Sequence, residues 1–298
     1  MDKNMAETIL ITGASGNVGS EVVRQLSSSR KDINIKAAGH SVESVRKVIK
    51  SDDRLEPTEL DYNKPDTLRQ ALKGVDKLFL LTPFQSDMVD LSSNILKEVK
   101  NAGNINHIVK LSVMGADAEP GITGGRLHRQ AEEMIENSGI SFTFLRPNFF
   151  MQNFVNFLSK MIIEQGSFYL PAGDGKVSFV DIRDIAAVAV QALTNNNSHS
   201  GKAYTITGPE AISYEDAARI LSEQVNKKIS YVNVSEEQTR EGMKSMGMDE
   251  WFVDSMMELY EITRMGYASQ VSSAVEEVTG RKPISFSQFA RDYAGSFR

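Results

Sequence analysis

Apolar positions in the first half of the chain follow two alternating spacings. Thr8-Ile9-Leu10-Ile11-Thr12 is a short continuous apolar run, and Val18, Val22, Val23 and Leu26 then recur at helical spacing. The same alternation predicts strands at Ile33 to Ala38, up to Leu60, at Lys77 to Thr82, at His107 to Ser112 and at Ser141 to Leu145. Helical patterns separate them, including Asp90 to Asn101 and Leu127 to Asn137. Continuous apolar strands alternating with helices predict an α/β chain whose doubly wound parallel sheet is covered on both faces.

Past Pro147 the pattern loosens. Phe149 to Ile163 reads as an apolar helix, Gly173-Asp174-Gly175 as a turn, Asp184 to Leu193 as a helix and Ala203 to Thr207 as a strand. From Ser213 onward the pattern is mostly helical, with methionines bunched between Met243 and Met265. The expected organisation is a first domain over 1–150, rejoined by 176–210, and a smaller, mostly helical region over 151–175 and 211–298.

A chain of 298 residues, 41% hydrophobic, can bury a core that needs no cross-links. Cysteine is absent, which excludes disulfides, zinc–thiolate and iron–sulfur sites and cysteine nucleophiles, and suits a reducing cytoplasm. With 33 basic against 39 acidic residues, the chain lacks the cationic surplus of a general nucleic-acid binder. Apolar runs such as Leu78-Phe79-Leu80-Leu81 fall far short of the ~18 residues of a membrane span. The polar start from Met1 to Ala6 carries no secretory pattern. Neither nucleic acid nor membrane is an expected partner, and the oligomeric state stays open.

Thr12-Gly13-Ala14-Ser15-Gly16-Asn17-Val18-Gly19 joins the first strand to the first helix. Glycines at 13, 16 and 19 permit a tight turn, close approach of backbone N–H groups to a pyrophosphate, and close helix–sheet packing. In this context Gly13, Ala14, Ser15, Gly16, Asn17, Val18 and Gly19 read as the phosphate cradle of a Rossmann-type, dinucleotide-binding sheet. The second strand ends in Ala38-Gly39-His40-Ser41 without the acid that would bind an NAD ribose about 20 residues after the loop. His40, Ser41 and Arg46 are candidates for a ribose 2′-phosphate, giving a modest preference for NADP(H) over NAD(H). Arg46 and Lys47 fit a solvated helix face equally well. Asp61 and Tyr62, after the third strand, are placed to border the adenine. Thr82 and Pro83 end the fourth strand and Ser112 the fifth, where ligands of such sheets collect; strand-end capping is the other role open to the two hydroxyls.

The loop, Asp61-Tyr62, the strand His107-Ile108-Val109-Lys110-Leu111-Ser112, Leu145-Arg146-Pro147-Asn148, Val180-Asp181-Ile182-Arg183-Asp184-Ile185 and Ala203-Tyr204-Thr205-Ile206-Thr207-Gly208-Pro209 together resemble the NmrA-like, atypical branch of the short-chain dehydrogenase/reductases. Within it the chain is most similar to the quinone oxidoreductase and triphenylmethane reductase type. The resemblance spans residues 8 to 225. Most members of the wider superfamily use a tyrosine and a lysine four positions on, but Val113 to Ile140 contains neither residue. His128 falls where related atypical reductases carry Lys or His. The resemblance implies a role for it at the nicotinamide ribose or as a proton donor; a solvated residue in the first helical turn is the plainer alternative. Ser112, by its place at the strand end, is the second catalytic candidate.

His40, His107 and His199 are too dispersed for a metal site, and none is expected. Asp181 and Asp184 resemble a carboxylate pair but suit structure better, with Asp184 able to cap the helix that follows. Phe84, Phe149, Phe150 and Met151 suggest a pocket for an aromatic or otherwise hydrophobic substrate, although core packing explains any one of them singly. Two functions fit: an NAD(P)H-dependent reductase passing hydride to an electron-poor acceptor such as a quinone, or a redox-sensing regulator that binds the dinucleotide without turnover.

Overall fold

A computed structural model describes residues 6–29, 32–49 and 52–298; the start of the chain, residues 1–5, lies outside the described residues. The alternating half of the sequence gives β1 (Glu7–Ile11), α1 (Asn17–Ser29), β2 (Ile33–Gly39), α2 (Val42–Arg46), β3 (Leu55–Glu59) and α3 (Pro65–Leu72). It continues with β4 (Lys77–Leu80), α4 (Met88–Ala102), β5 (His107–Leu111), α5 (Thr123–Glu136) and β6 (Ser141–Pro147). A π-helical turn over Phe154–Leu158 leads into α6 (Ser159–Gln165), β7 (Ser167–Leu170), β8 (Lys176–Val177), α7 (Ile182–Thr194), α8 (Asn196–His199) and β9 (Lys202–Ile206). The remainder is β10 (Ile212–Ser213), α9 (Tyr214–Val225), β11 (Ser230–Asn233), α10 (Glu236–Ser245), α11 (Glu250–Arg264), α12 (Ala274–Thr279) and α13 (Phe286–Asp292), closed by a short 3-10 turn.

Seven strands form one sheet in the order β3-β2-β1-β4-β5-β6-β9. The pairings from β3 to β6 are all parallel. Gly201 N–H donates to the Phe142 carbonyl and Asn148 N–H to that of Ile206, so β9 runs the same way. The winding reverses between β1 and β4, and in such sheets the crevice beyond the carboxyl ends at that point takes the ligand. Two side chains tie this point together. Thr12 Oγ1 accepts the Leu81 N–H at 2.8 Å, and the Tyr62 hydroxyl donates to the Leu81 carbonyl at 2.6 Å.

Packing divides the chain into two units. The first comprises Met1–Glu119, Gly125–Arg146 and Ile185–Tyr204, and the second Pro120–Gly124, Pro147–Asp184 and Thr205–Arg298. In the first, Leu10, Leu78, Leu80 and Ile108 from the strands pack against Leu68, Leu72, Ile95 and Val99 of α3 and α4. The second is built on aromatic side chains. Phe154 meets Phe286 edge-on at 5.0 Å and Phe179 at 5.4 Å, and Phe179 meets Tyr214 at 5.3 Å. Among the described residues no helix is long and apolar enough to cross a membrane.

Three local expectations are corrected. The apolar stretch from Phe149 begins extended, because Val180 N–H donates to the Phe149 carbonyl and Met151 N–H to that of Val180; helix starts only near Phe154. The region after Ser213 contains β11, whose sequence Ser-Tyr-Val-Asn has no telling period and becomes a strand by pairing in register with β7. Asp184 does not cap α7. The Asp181 carboxylate takes the Arg183 N–H at that helix start, while Asp184 reaches forward to the Ile284 N–H and Arg281, each at 2.7 Å.

Candidate functional site

The glycine loop is folded by its own hydrogen bonds, Ala14 N–H to the Ala38 carbonyl at 2.8 Å and Gly16 N–H to the Gly13 carbonyl at 2.9 Å. The fold constrains its three glycines differently. Gly13 has a φ of +66°, which disfavours any side chain, and a Cβ on Gly19 would lie 2.2 Å from the Gly13 carbonyl oxygen. Gly16 has neither constraint: a Cβ there would meet nothing closer than 3.4 Å. A Cβ at Gly16 would make only ordinary contact, so its backbone is open on that side. Ser15, Gly16 and Asn17 are exposed, Ala14 and Val18 are buried supports, and the 13-residue helix α1 presents its first-turn amides behind them. This donor set fits a dinucleotide pyrophosphate.

The end of β2 explains the missing acid in part. A Cβ on Gly39 would lie 2.8 Å from Val45 Cγ2 and 3.1 Å from Ser15 Oγ, so a side chain there would have to displace Val45. His40 is exposed. Ser41 is the N-cap of α2, its hydroxyl accepting the Ser44 N–H at 3.2 Å. Lys47 pairs with Glu43 at 2.8 Å, and Arg46 is exposed beside it.

Asp61 accepts the Asn63 N–H and pairs with Lys64 at 3.1 Å; the backbone hydrogen bond above all holds its carboxyl below the usual range. Tyr62 is buried beneath, with its hydroxyl on Leu81, and burial keeps that phenol protonated. Thr82 is buried with its hydroxyl 3.2 Å from that of Ser92, whereas Pro83 is exposed.

Beyond β5 the structure brings together groups far apart in sequence. His128 lies in the second turn of α5 rather than the first, and is 7% exposed rather than solvated, because the helix begins at Thr123 and runs through Gly124 and Gly125. Its Nδ1 is 3.1 Å from Nζ of Lys110, a fully buried lysine on β5 that also donates to the Leu111 carbonyl at 2.9 Å. Burial, then the Lys110 charge, push the His128 pKa well down, so the imidazole is neutral at physiological pH. Burial brings Lys110 down to about 8, with the Glu132 carboxylate acting in the opposite direction. The Phe84 ring lies parallel to the imidazole, centroids 6.5 Å apart.

Ser112 donates to Glu132 Oε1 at 2.6 Å. Glu132 has no solvent exposure and also receives Arg146 at 2.7 and 3.0 Å and Arg129 at 3.1 Å. Burial alone would raise its pKa; the hydrogen bonds from Arg146 and Ser112 outweigh that and hold it below the usual value. Arg146 continues to Asp117 on the loop after β5. Sequence reasoning assigned no role to Lys110, Glu132 or Arg146. The one signal was a lysine among the apolar Ile108, Val109 and Leu111 of the strand. In the second unit Phe149 and Phe150 are partly buried and Met151 belongs to the core. Among the described residues no three His, Asp or Glu side chains stand together as a metal site.

The chain matches the NmrA-like family model over residues 5–290. It is 38% identical over 289 residues to the NAD(P)H azoreductase of Xenophilus azovorans, covering 97% of this chain and 99% of that one. The NADPH-dependent quinone oxidoreductase QOR2 of Escherichia coli, solved with NADPH, superposes with a TM-score of 0.84 at 26% identity, covering 95% and 99% of the two chains. The Citrobacter sp. triphenylmethane reductase, solved with NADP(H), gives 0.83 at 27% identity over 96% and 99%. The sheet order, the glycine loop at its switch point and these matches lead to one assignment: the chain belongs to the NmrA-like family.

Proposed function

We propose that this chain is an NAD(P)H-dependent reductase that delivers hydride to a hydrophobic, electron-poor acceptor such as a quinone or a dye. The observation that carries the reading is the buried Lys110–His128 hydrogen bond at the carboxyl end of β5. Desolvating a lysine beside an imidazole costs stability, and a protein that merely held a dinucleotide would have no use for it. A reducing cytoplasm suits such an enzyme, which has no cysteine to protect.

Bound at the loop, the dinucleotide would supply the hydride. The cradle for its pyrophosphate is Gly13, Ala14, Ser15, Gly16, Asn17, Val18 and Gly19. His40, Ser41 and Arg46 would face the ribose 2′ position, and Asp61 the adenine, with Tyr62 supporting from beneath. Thr82, Pro83, Ser112 and His128 are assigned to the nicotinamide end. Ser112, whose proton is committed to Glu132, can only accept there, while His128 can donate from Nε2. Phe84, parallel to the imidazole, is the apolar surface assigned to the acceptor; Phe149, Phe150 and Met151 are proposed as substrate-side residues on their sequence pattern. The missing tyrosine–lysine pair is no obstacle, since an electron-poor acceptor needs less acid help than a ketone and His128 is placed to give it.

The test is steady-state oxidation of NADPH and NADH with quinones, azo dyes and triphenylmethane dyes, alongside calorimetry of both dinucleotides. Turnover with at least one acceptor, and tighter binding of NADPH than NADH that narrows in Arg46→Ala, is the expected result. Tight binding without turnover of any acceptor would leave the dinucleotide-sensing alternative instead.

A further inference from the structure

Reducing a quinone or an azo bond takes a proton as well as a hydride, and the geometry around His128 offers a source for it. While Lys110 is an ammonium it has only protons to offer, so the Nδ1 facing it at 3.1 Å must carry a lone pair. His128 is therefore neutral with its proton on Nε2, and the Phe84 ring lies parallel to it. It has a proton to give but, being buried beside a cation, no charged form of its own to draw on at neutral pH.

We propose that Lys110 is the positioning residue and proton reservoir of the site: it fixes His128 as the Nε2–H tautomer and resupplies it through Nδ1 as the Nε2 proton leaves. The inference rests on the reductase reading. The acceptor gains a hydride and one proton. The His128 Nε2–H bond breaks as the acceptor–H bond forms, and a Lys110 Nζ–H bond breaks as Nδ1–H forms. Lys110 ends as a neutral amine and His128 as the opposite neutral tautomer. A solvent proton taken up at Nε2, with return of the Nδ1 proton to Nζ, restores the start. The groups facing Lys110 support the assignment: His128 and Glu132 both project from α5, and Glu132 is itself held by Arg146 and Arg129. A lysine that loses its proton near pH 8 is a usable donor just below that value, whereas an unperturbed one would hold its proton too tightly.

The test reads the full-length protein without dinucleotide, by nitrogen NMR of isotope-labelled histidine across neutral to alkaline pH. His128 is expected to be neutral with the proton on Nε2, and its Nδ1 resonance to move with a midpoint near 8. That step should vanish in Lys110→Met. Lys110→Arg, which donates but cannot deprotonate, should keep the Nε2–H tautomer and lose the step. In turnover the parent's rate should fall as pH rises through the same midpoint, and both variants should be slower by about 10²-fold, the low end of general-acid help. An imidazolium at neutral pH, a proton resting on Nδ1, or a turning-over parent with no step overturns the relay alone. The NMR step in a protein that reduces no acceptor overturns the reductase reading, and with it the delivery of the proton.

Discussion

Glu132 has no exposed surface, yet three donors surround it: Ser112, Arg146 and Arg129. Removing Arg146 leaves a buried carboxylate with its main partner gone. Arg146→Met should therefore destabilise the chain by about 3–5 kcal/mol in denaturant melts, whereas Glu132→Leu, which removes the charge itself, should cost less than Arg146→Met. If Arg146→Met proves neutral, the network has no structural weight. The two outer glycines of the loop behave differently from the middle one at this scale. Gly19→Ala drives a methyl into the Gly13 carbonyl and should lower the melting temperature sharply. Gly16→Val should melt within about 0.5 kcal/mol of the parent and still fail to bind NADPH in calorimetry. A Gly16→Val protein that binds as tightly as the parent removes the loop from the cofactor assignment. Gly16 was legible in sequence because the motif is local. Lys110 was legible only as an oddity, since its partner lies eighteen positions on.

At the scale of elements, α5 holds most of the chemistry and starts earlier than its sequence suggests. Gly124 and Gly125 look like a break, but Glu258 of α11 accepts both the Thr123 N–H at 2.6 Å and its hydroxyl at 3.0 Å. A carboxylate at a helix start satisfies amides that lack intrahelical partners and favours the dipole. Glu258→Ala should thus fray the first turn of α5, speeding amide exchange around Thr123 to Arg126 at a cost of about 1 kcal/mol. Unchanged exchange there would mean that the helix start holds itself. The cap could not be read in advance, because its two halves are 135 residues apart. Strand β11 was missed for the same reason: four residues without a hydrophobic period become a strand only when β7 supplies the other side of the ladder.

For the whole molecule, several buried ionisable groups make stability depend on pH in one direction. His107 is fully buried between Ser141 and Thr143, and burial first, then the Lys77 and His199 charges, lower its pKa to about 4 from 6.5. His128 and His199 are lowered as well, burial again being the largest cause. Each binds its proton more readily when unfolded, so the histidines' contribution to stability is full above about 6.5 and is lost as pH falls towards 4. Glu132, lowered in the native state, adds a further loss below its ordinary value of 4.5. Denaturant midpoints should decline steadily from neutral pH downward, with a shallower slope for His107→Gln between 6.5 and 4. An unchanged slope in that variant would show that His107 is not among the groups responsible.

What the sequence determined by itself is what repeats or what is local. Apolar runs alternating with helical spacing specify parallel strands buried on both faces, and the glycine loop specifies a tight turn from strand to helix whose backbone is open to an anion. Both follow from properties of neighbouring residues. The tertiary structure alone decided which partners the charged side chains meet: His128 for Lys110, Arg146 for Glu132, the start of α5 for Glu258. Such pairs are set by crossover connections that carry no period, and a buried charge is stable only where folding delivers its partner.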